Sequence, residues 1–350
     1  MSTVIKILLA IIMIGILIIS HEFGHFLLAK ANDIAVLEFW VGFGPKIFSV
    51  EKNGTLYRIN LIPLGGGCLF DNMDPDNPSE STYRNAPVMS RIATVLAGPF
   101  FNFILAFILA LFVVGYGGYS TCKLIDITPG SPAEAAGLEA GDEIIKLNNK
   151  RVHMFSEITL LTMFSDGAET VIEYKRDGDL YSTRLTPEYN EEYGRYMFGI
   201  VGGDYDQEIT PIKSIKNAYY YVLYEIKSVV KSLEWLLVGK ISANELSGPI
   251  GVATIVSDEY DYAKEAGGSL AVVITMVSLA SLLSANLGVM NLLPIPGLDG
   301  SKFLLLVVEG IRRKPLSSKA EGAINLLGIV FILMIMGFVM YNDIYRLIVR

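Results

Sequence analysis

An H-E-x-x-H motif at residues 21–25 lies at the end of an unbroken apolar run, residues 7–19. On a helix, side chains four residues apart share a face, so His21 and His25 can bind one metal ion. Glu22 follows the first histidine, where it can reach the metal's open coordination position and take a proton from a bound water. Because ionisable residues inside a membrane span are energetically costly, their presence here indicates a function.

Two other interpretations of this segment are open. Lys6 and the apolar run could form a secretory signal peptide, but no small-residue cleavage site follows and apolar residues resume at 26–29. The histidines could instead be satisfied by chance in a helix bundle. Against this, the chain holds only three histidines, and two of them fall in this motif.

The composition is that of a membrane protein. The 350 residues are 52% hydrophobic, with a mean hydropathy of +0.45, and the apolar residues occur in blocks. The net charge of -8 argues against a nucleic-acid partner. Cys68 and Cys122 flank a predicted span, so we expect no disulfide between them.

Four apolar blocks predict four transmembrane helices, at about residues 4–29, 92–114, 270–290 and 323–340. From residue 4 to His21 a helix rises roughly 25 Å, against a hydrocarbon core of roughly 30 Å. The motif is therefore expected near the far face of the membrane but still within it.

The connection after the first span contains a hairpin signal. Strand-like residues 47–52 and 55–60 flank Asn53-Gly54, the dipeptide most typical of a tight hairpin turn. Glycines at 65–67 follow, and a glycine backbone can approach another group closely. A plain turn is the other interpretation of these glycines.

Residues 117–268 have the character of a soluble domain. The pattern over residues 125–148 predicts strand, turn, short helix, turn and strand, and strand-like sequence continues to about residue 185. Residues 219–237 have apolar side chains at helical spacing. They predict a helix at the membrane interface, although a packed surface helix would show the same pattern.

Asp299 follows the third apolar block and two prolines, Pro294 and Pro296. A zinc ion held by two histidines needs a third protein ligand, and a carboxylate at this depth is the best candidate. Aspartate also favours the N-cap of a helix, so a capping role is an equal alternative from the sequence alone.

Basic residues set the expected orientation. Arg312, Arg313 and Lys314 lie in the short loop before the last span, which places that loop in the cytoplasm. With four spans, both termini and the soluble domain are then outside, and the motif at residues 21–25 is near the cytoplasmic face.

Taken together, these segments resemble the site-2 proteases, the intramembrane zinc metalloproteases, in particular the bacterial regulators of the sigma-E type stress response. The resemblance covers nearly the whole chain. The matching segments are H-E-F-G-H at 21–25, G-F-G-P at 42–45, the loop at 62–66, A-G-P at 97–99 with Asn102, Asn286 with Asn291, and L-D-G at 298–300. Residues 129–142 resemble a PDZ domain. Two departures are Gly67-Cys68 and Ser301-Lys302, where relatives often have other residues.

The resemblance implies roles for individual residues. His21, His25 and Asp299 would bind Zn²⁺, and Glu22 would be the general base. The implied substrate-binding residues are Asn286, Asn291, Gly65, Gly66 and Pro294. The hairpin would dip into the membrane and pair with the substrate as an added strand.

The implied function is cleavage of transmembrane segments in single-span proteins, such as anti-sigma factors or remnant signal peptides, after a first extracytoplasmic cut. The implied location is the bacterial cell membrane, with the lipid bilayer as surroundings and no nucleic-acid partner. A zinc transporter is one alternative, but it would need ionisable residues through the full membrane, whereas here they cluster near one face. A non-catalytic PDZ scaffold is another, although Glu22 is not needed for that role.

The expected fold is an α-helical polytopic membrane protein with four transmembrane helices, a membrane-associated β-hairpin and an inserted extracytoplasmic α+β PDZ domain. The expected division is a first span with the H-E-x-x-H motif at 1–30, a cytoplasmic-side loop with the hairpin at 31–90, a second span at 91–116, the PDZ domain at 117–190, a connector with the interfacial helix at 191–268, a third span with the L-D-G motif at 269–300, a basic cytoplasmic loop at 301–322, and a fourth span and tail at 323–350.

Overall fold

A computed structural model describes residues 3–71, 82–206, 210–242, 246–314 and 317–349. Residues 72–81 of the predicted hairpin-bearing loop lie outside this description. The chain forms two compact units, one made of Met1–Leu109 with Glu234–Arg350 and the other of Ala110–Leu233.

The described helices are α1 Thr3–Ala31, α2 Thr82–Asn85, α3 Val88–Gly117, α4 Pro132–Ala135, α5 Phe155–Met163, α6 Pro211–Leu237, α7 Pro249–Asn291, α8 Asp299–Arg312 and α9 Ser318–Val349. Within the described residues, four helical segments are long and apolar enough to cross a membrane: Lys6–Ala31, Val88–Gly117, Pro249–Asn291 and Gly322–Arg346. The four predicted membrane helices are thereby confirmed as helices of suitable length and composition.

The helices α1, α3 and α7 pack against one another in the first unit. A Cβ at Gly24 would overlap the Ala97 carbonyl, so α1 and α3 are in backbone contact there. Ser284 Oγ of α7 donates to the Asn102 carbonyl of α3 at 2.8 Å, and Ser281 Oγ donates to the Ala106 carbonyl at 3.1 Å. Small and hydroxyl-bearing residues thus permit the close approach that membrane helices use.

α7 begins earlier than the predicted third span. Gly268, with φ 70° and ψ -151°, separates a helical stretch before it from the apolar stretch after it. The sequence predicts this earlier stretch as part of a connector in the region of soluble character. Its apolar residues nevertheless pack on α1, as Val256 does with Ala10 and Met13.

The predicted hairpin is present in the first unit. Strands β1 Val36–Lys52 and β2 Thr55–Phe70 pair with Lys52 opposite Thr55, so Asn53-Gly54 is the turn. Residues 36–41 pair with 66–70 in opposite directions, and residues 38–41 also pair with 56–59 in the same direction. The two strands therefore bend and supply four strand segments to one small sheet.

The second unit has its own sheet and core. Its strands are β3 Tyr119–Ile127, β4 Glu143–Leu147, β5 Lys150–Arg151, β6 Thr170–Arg176, β7 Asp179–Leu185, β8 Glu188–Asn190, β9 Arg195–Met197 and β10 Ile200–Asp206. The main sheet has the order β10-β3-β4-β6-β7, and Leu124, Ile144, Ile158 and Ile172 lie in its core.

The predicted strand–helix–strand order over residues 125–148 is found. The sheet also includes residues beyond the predicted domain end at 190, because β10 pairs with β3.

Residues 301–312 form most of α8, where we expected a basic loop. Leu306 and Glu309 are buried on one face of this helix, and Arg312 lies in its last turn. Arg313 adopts a left-handed conformation, φ 53°, and ends the helix. Arg312 and Arg313 therefore end a helix, where the sequence predicts a loop.

α6 is longer than the predicted helix at 219–237 and has two different faces. Ala218, Val222 and Glu225 are buried. Ile212 and Tyr219 lie on an exposed face. The location of this helix at a membrane interface stays a prediction.

Candidate metal centre

Three side chains lie close together inside the first unit. His21 Nε2 and His25 Nε2 are 3.2 Å apart, and each lies 3.0 Å from Asp299 Oδ2. All three residues are buried. Among the described residues, they are the one group of at least three His, Cys, Asp or Glu whose ligand atoms could share a metal ion.

The second nitrogen of each imidazole faces α3. His25 Nδ1 lies 2.8 Å from the Thr94 carbonyl, which can only accept, so this nitrogen carries the proton and donates. His21 Nδ1 lies 3.2 Å from the side-chain amide of Asn102. Contacts of this kind orient the metal-binding nitrogen of a histidine.

Gly98 lets α3 approach the histidines. A Cβ at this position would collide with His25 Nε2 and would lie 2.8 Å from His21 Cε1. A residue without a side chain is therefore required at this point of the A-G-P segment.

Asp299 is positioned by the chain turn before α8. Leu298 is the N-cap, with φ -96° and ψ 163°, and Asp299 is the first helical residue. The N-cap alternative for Asp299 is wrong, because Leu298 occupies the N-cap position, and the Asp299 carboxylate faces the histidines. Gly300 follows it where a Cβ would overlap the carbonyls of Leu292 and Leu293, so the L-D-G glycine is needed for close packing.

Two ion pairs involve α8, one at the Asp299 carboxylate and one near the other end of the helix. Lys302 Nζ lies 3.2 Å from Asp299 Oδ1, the oxygen that does not face the histidines. At the other end of α8, Glu309 forms a buried two-point ion pair with Arg91 of α3. Lys302 thus contacts Asp299 directly.

Glu22 lies beside the glycine segment of β2. A Cβ at Gly66 would lie 3.5 Å from Glu22 Cγ and 3.7 Å from Ile18 Cγ2, so this part of the sheet abuts α1. The rings of Phe43 and Trp40 occupy the space beside Gly65 and Gly67. These glycines lie within a strand, so the plain-turn interpretation is wrong.

The other predicted substrate-binding residues lie around the end of α7. Asn291 Nδ2 donates to the Leu287 carbonyl of its own helix at 3.0 Å. α7 extends to Asn291, and Leu292 still has helical φ and ψ. The side chains of Asn286 and Asn291 therefore leave the helix about 140° apart. Pro294 is exposed in the following turn.

The donor set fits zinc. Two imidazole nitrogens and one carboxylate oxygen are typical zinc ligands, and a tetrahedral zinc about 2.0–2.1 Å from each would space them roughly 3.3 Å apart. Because Nδ1 of His25 carries its proton, Nε2 presents a lone pair to a carboxylate oxygen 3.0 Å away. Two acceptors at that distance need a cation or a proton between them.

Sequence reasoning did not assign roles to Thr94, Gly98 or Lys302. Thr94 acts through its backbone carbonyl, which no side-chain pattern reveals. Gly98 carried a signal in the A-G-P segment, but its contact with the histidines depends on how α3 crosses α1.

Known proteins resemble this chain over nearly its whole length. The family model for peptidase family M50 matches residues 9–335. A candidate zinc metalloprotease of Clostridium acetobutylicum is 34% identical over 341 residues, which cover 97% of this chain and 97% of that protein. Zinc metalloprotease RasP of Shouchella clausii is 30% identical over 422 residues, covering 97% of this chain and 99% of that protein.

Among solved structures, the PDZ domain of an SdrC-like protein from Listeria innocua is 18% identical, with a TM-score of 0.23, and covers 25% of this chain and 99% of that chain. The extent of the family and relative matches confirms the family, the enzyme class and the metal that the motifs predicted. The chain is a multi-pass membrane zinc metalloprotease and belongs to peptidase family M50, the site-2 protease family.

Proposed function

We propose that this metalloprotease cleaves transmembrane segments of other proteins inside the bacterial cell membrane. The observation that carries the proposal is the position of the cluster. His21 and His25 belong to a helix able to cross a membrane, and Asp299 meets them in the same buried site. A peptide bond cut there must lie within or at the edge of the bilayer.

In this proposal His21, His25 and Asp299 hold the zinc ion. Zinc bound there would polarise the scissile carbonyl and would lower the pKa of a water molecule to about 7. Glu22, one residue after the first ligand, takes the proton from the attacking water and delivers it to the leaving amine. The buried surroundings keep other water away and strengthen these electrostatic contacts.

The substrate must be unwound, because a transmembrane helix hides its peptide bonds in internal hydrogen bonds. Residues 66–70 pair with 36–41 on one side, and in the described pairing no strand covers their other edge. An extended substrate added along this edge would pass close to Glu22, which abuts Gly66. Gly65 and Gly66 then present backbone groups to the substrate.

Asn286, Asn291 and Pro294 would contact the substrate from the end of α7. Asn291 already donates to Leu287, so its side-chain oxygen is the group offered to a substrate N–H. Asn286 leaves the helix on another side and would hold a different part of the unwound segment.

For the orientation, we propose that the basic end of α8 is cytoplasmic and that the PDZ-like unit lies outside the cytoplasm. The PDZ-like unit would act as a filter that admits substrates already shortened by a first extracytoplasmic cut. Anti-sigma factors and remnant signal peptides are substrates of this kind.

Metal analysis tests the ligand set. Purified wild type should carry one zinc per chain, and Asp299→Ala should lose most of it. Asp261→Ala is the matched control, because Asp261 is exposed and pairs with Lys6 away from the site. Equal and full zinc occupancy in Asp299→Ala would remove Asp299 from the ligand set.

A further inference from the structure

Asn102 is a fully buried polar side chain beside the cluster. Its amide Nδ2 lies 3.2 Å from His21 Nδ1, and its Oδ1 is buried with no hydrogen-bond partner among the described residues. Its backbone carbonyl accepts from Ser284 Oγ at 2.8 Å, which fixes this residue where α3 meets α7.

The orientation of the amide decides where the His21 proton lies. The oxygen and nitrogen of a side-chain amide are assigned from hydrogen bonding, and the two orientations differ by a half-turn. With Nδ2 toward the ring, His21 Nδ1 must accept, and the ring proton sits on Nε2. With Oδ1 toward the ring, Nδ1 donates, and Nε2 keeps its lone pair.

The second orientation is the one that suits the rest of the site. His21 Nε2 is the nitrogen that faces His25 Nε2 and Asp299 Oδ2, so a proton there would block metal binding. The half-turn exchanges the two amide atoms, so Oδ1 gains a donor while Nδ2 moves to the position that has no partner among the described residues, and the free lone pair of His21 Nε2 is what favours this orientation. His25 is already held in the same way, by the Thr94 carbonyl on the same helix.

We propose that Asn102 is a positioning residue for His21, whose Nδ1–H it accepts through Oδ1 so that Nε2 is free for zinc. This inference rests on the proposed ligand set. Both histidines are then held from α3 by oxygen acceptors, one from a side chain and one from the backbone. Such contacts fix both the ring orientation and the protonated nitrogen.

Two substitutions separate an acceptor from a merely buried polar group. Asn102→Asp keeps oxygen acceptors and removes the donor, whereas Asn102→Leu removes both at similar volume. Zinc dissociation constants of the full-length protein, measured by chelator competition, should rise about 10- to 100-fold for Asn102→Leu. The zinc dissociation constant of Asn102→Asp should stay within a factor of about three of the wild-type value, which is below the 10- to 100-fold range expected when such a contact is lost. Equal weakening in both variants would overturn the acceptor role.

Ser281→Ala is the matched control. It removes a 3.1 Å bond between the same two helices, to Ala106, and leaves the histidines untouched. Its zinc dissociation constant should equal that of wild type. If it weakens zinc as much as Asn102→Leu, packing between α3 and α7 explains the effect and the proposal is wrong.

If Asn102→Leu does not fold, the proposal can still be tested on the wild type, by determining which ring nitrogen of His21 carries the proton. Nitrogen NMR of zinc-loaded protein with labelled histidine should show His21 protonated on Nδ1 and bound through Nε2. Protonation on Nε2 would contradict the proposal. A third variant, His21→Ala, separates this proposal from the proposed ligand set. If the ligand set is wrong, His21→Ala keeps its full zinc content. If only the role of Asn102 is wrong, His21→Ala loses its zinc and Asn102→Leu binds zinc with wild-type affinity.

Discussion

Gly98 and His25 are in such close contact that any side chain at position 98 would displace the imidazole. We predict that Gly98→Ala loses most of its zinc, because the added methyl group must push His25 Nε2 away from Asp299. Gly115→Ala is the control in the same helix, since a Cβ there meets nothing within 4 Å. The control should be neutral or gain up to about 1 kcal/mol of stability. Full zinc in Gly98→Ala would contradict the described approach of α3.

The ion pair of Arg91 with Glu309 joins α3 to the helix that begins with Asp299. Both side chains are 8% exposed, so removing one partner leaves a buried charge. Arg91→Met should destabilise the protein by about 3–5 kcal/mol and reduce zinc retention, whereas Arg91→Met with Glu309→Met should recover much of the loss.

Thermal unfolding in detergent measures this effect. Lys146→Met serves as a control, because the Lys146–Glu173 pair is more exposed and its loss should cost at most about 1 kcal/mol. Wild-type stability of Arg91→Met would show that the buried pair does not hold α8.

Some residues of the site can be predicted from the sequence alone, and others cannot. His21, Glu22 and His25 follow from helical spacing, which is local. For Asp299 the sequence could not decide between a metal ligand and a helix N-cap, because the histidines are far away in the chain and only packing brings them close to Asp299. Thr94, Gly98 and Lys302 depend on how α3 and α8 cross α1, and no periodicity encodes that.

In the fold, too, local sequence patterns predict some features, whereas others depend on contacts between distant segments. The four apolar helices and the Asn53-Gly54 turn follow from local patterns. The helical stretch before Gly268 was not predicted, because its charges resemble those of a soluble connector and only contact with α1 explains its apolar residues. β10 was assigned to a connector because its pairing with β3 spans a long stretch of sequence.

Thiol labelling can determine on which side of the membrane the second unit lies. Burial raises the pKa of the Cys122 thiol to about 12, so at pH 8 this buried thiol is almost entirely in its unreactive protonated form. In a Cys68→Ser background, Asp179→Cys should therefore label from outside intact cells without interference from Cys122. Lys314→Cys should label only after the membrane is permeabilised. The reverse pattern would invert the proposed topology.

Asn286 and Asn291 are expected to act on the substrate rather than on the fold. Replacing either with leucine should lower cleavage while zinc content and thermal stability stay at wild-type values, because the unwound peptide loses a hydrogen-bond partner in an apolar setting. Cleavage, zinc and unfolding are best measured on the same preparations. Activity that falls only in step with stability would assign both residues to helix packing.

The most direct test of the account compares wild type with Glu22→Gln on a single-span substrate in proteoliposomes. Glutamine keeps the size of the side chain but cannot take a proton from water. We predict that Glu22→Gln binds one zinc per chain and folds like wild type but cleaves the substrate at least about 100-fold more slowly, the range typical for loss of a general base. Cleavage within the membrane segment at the wild-type rate by zinc-loaded Glu22→Gln would contradict the proposed mechanism.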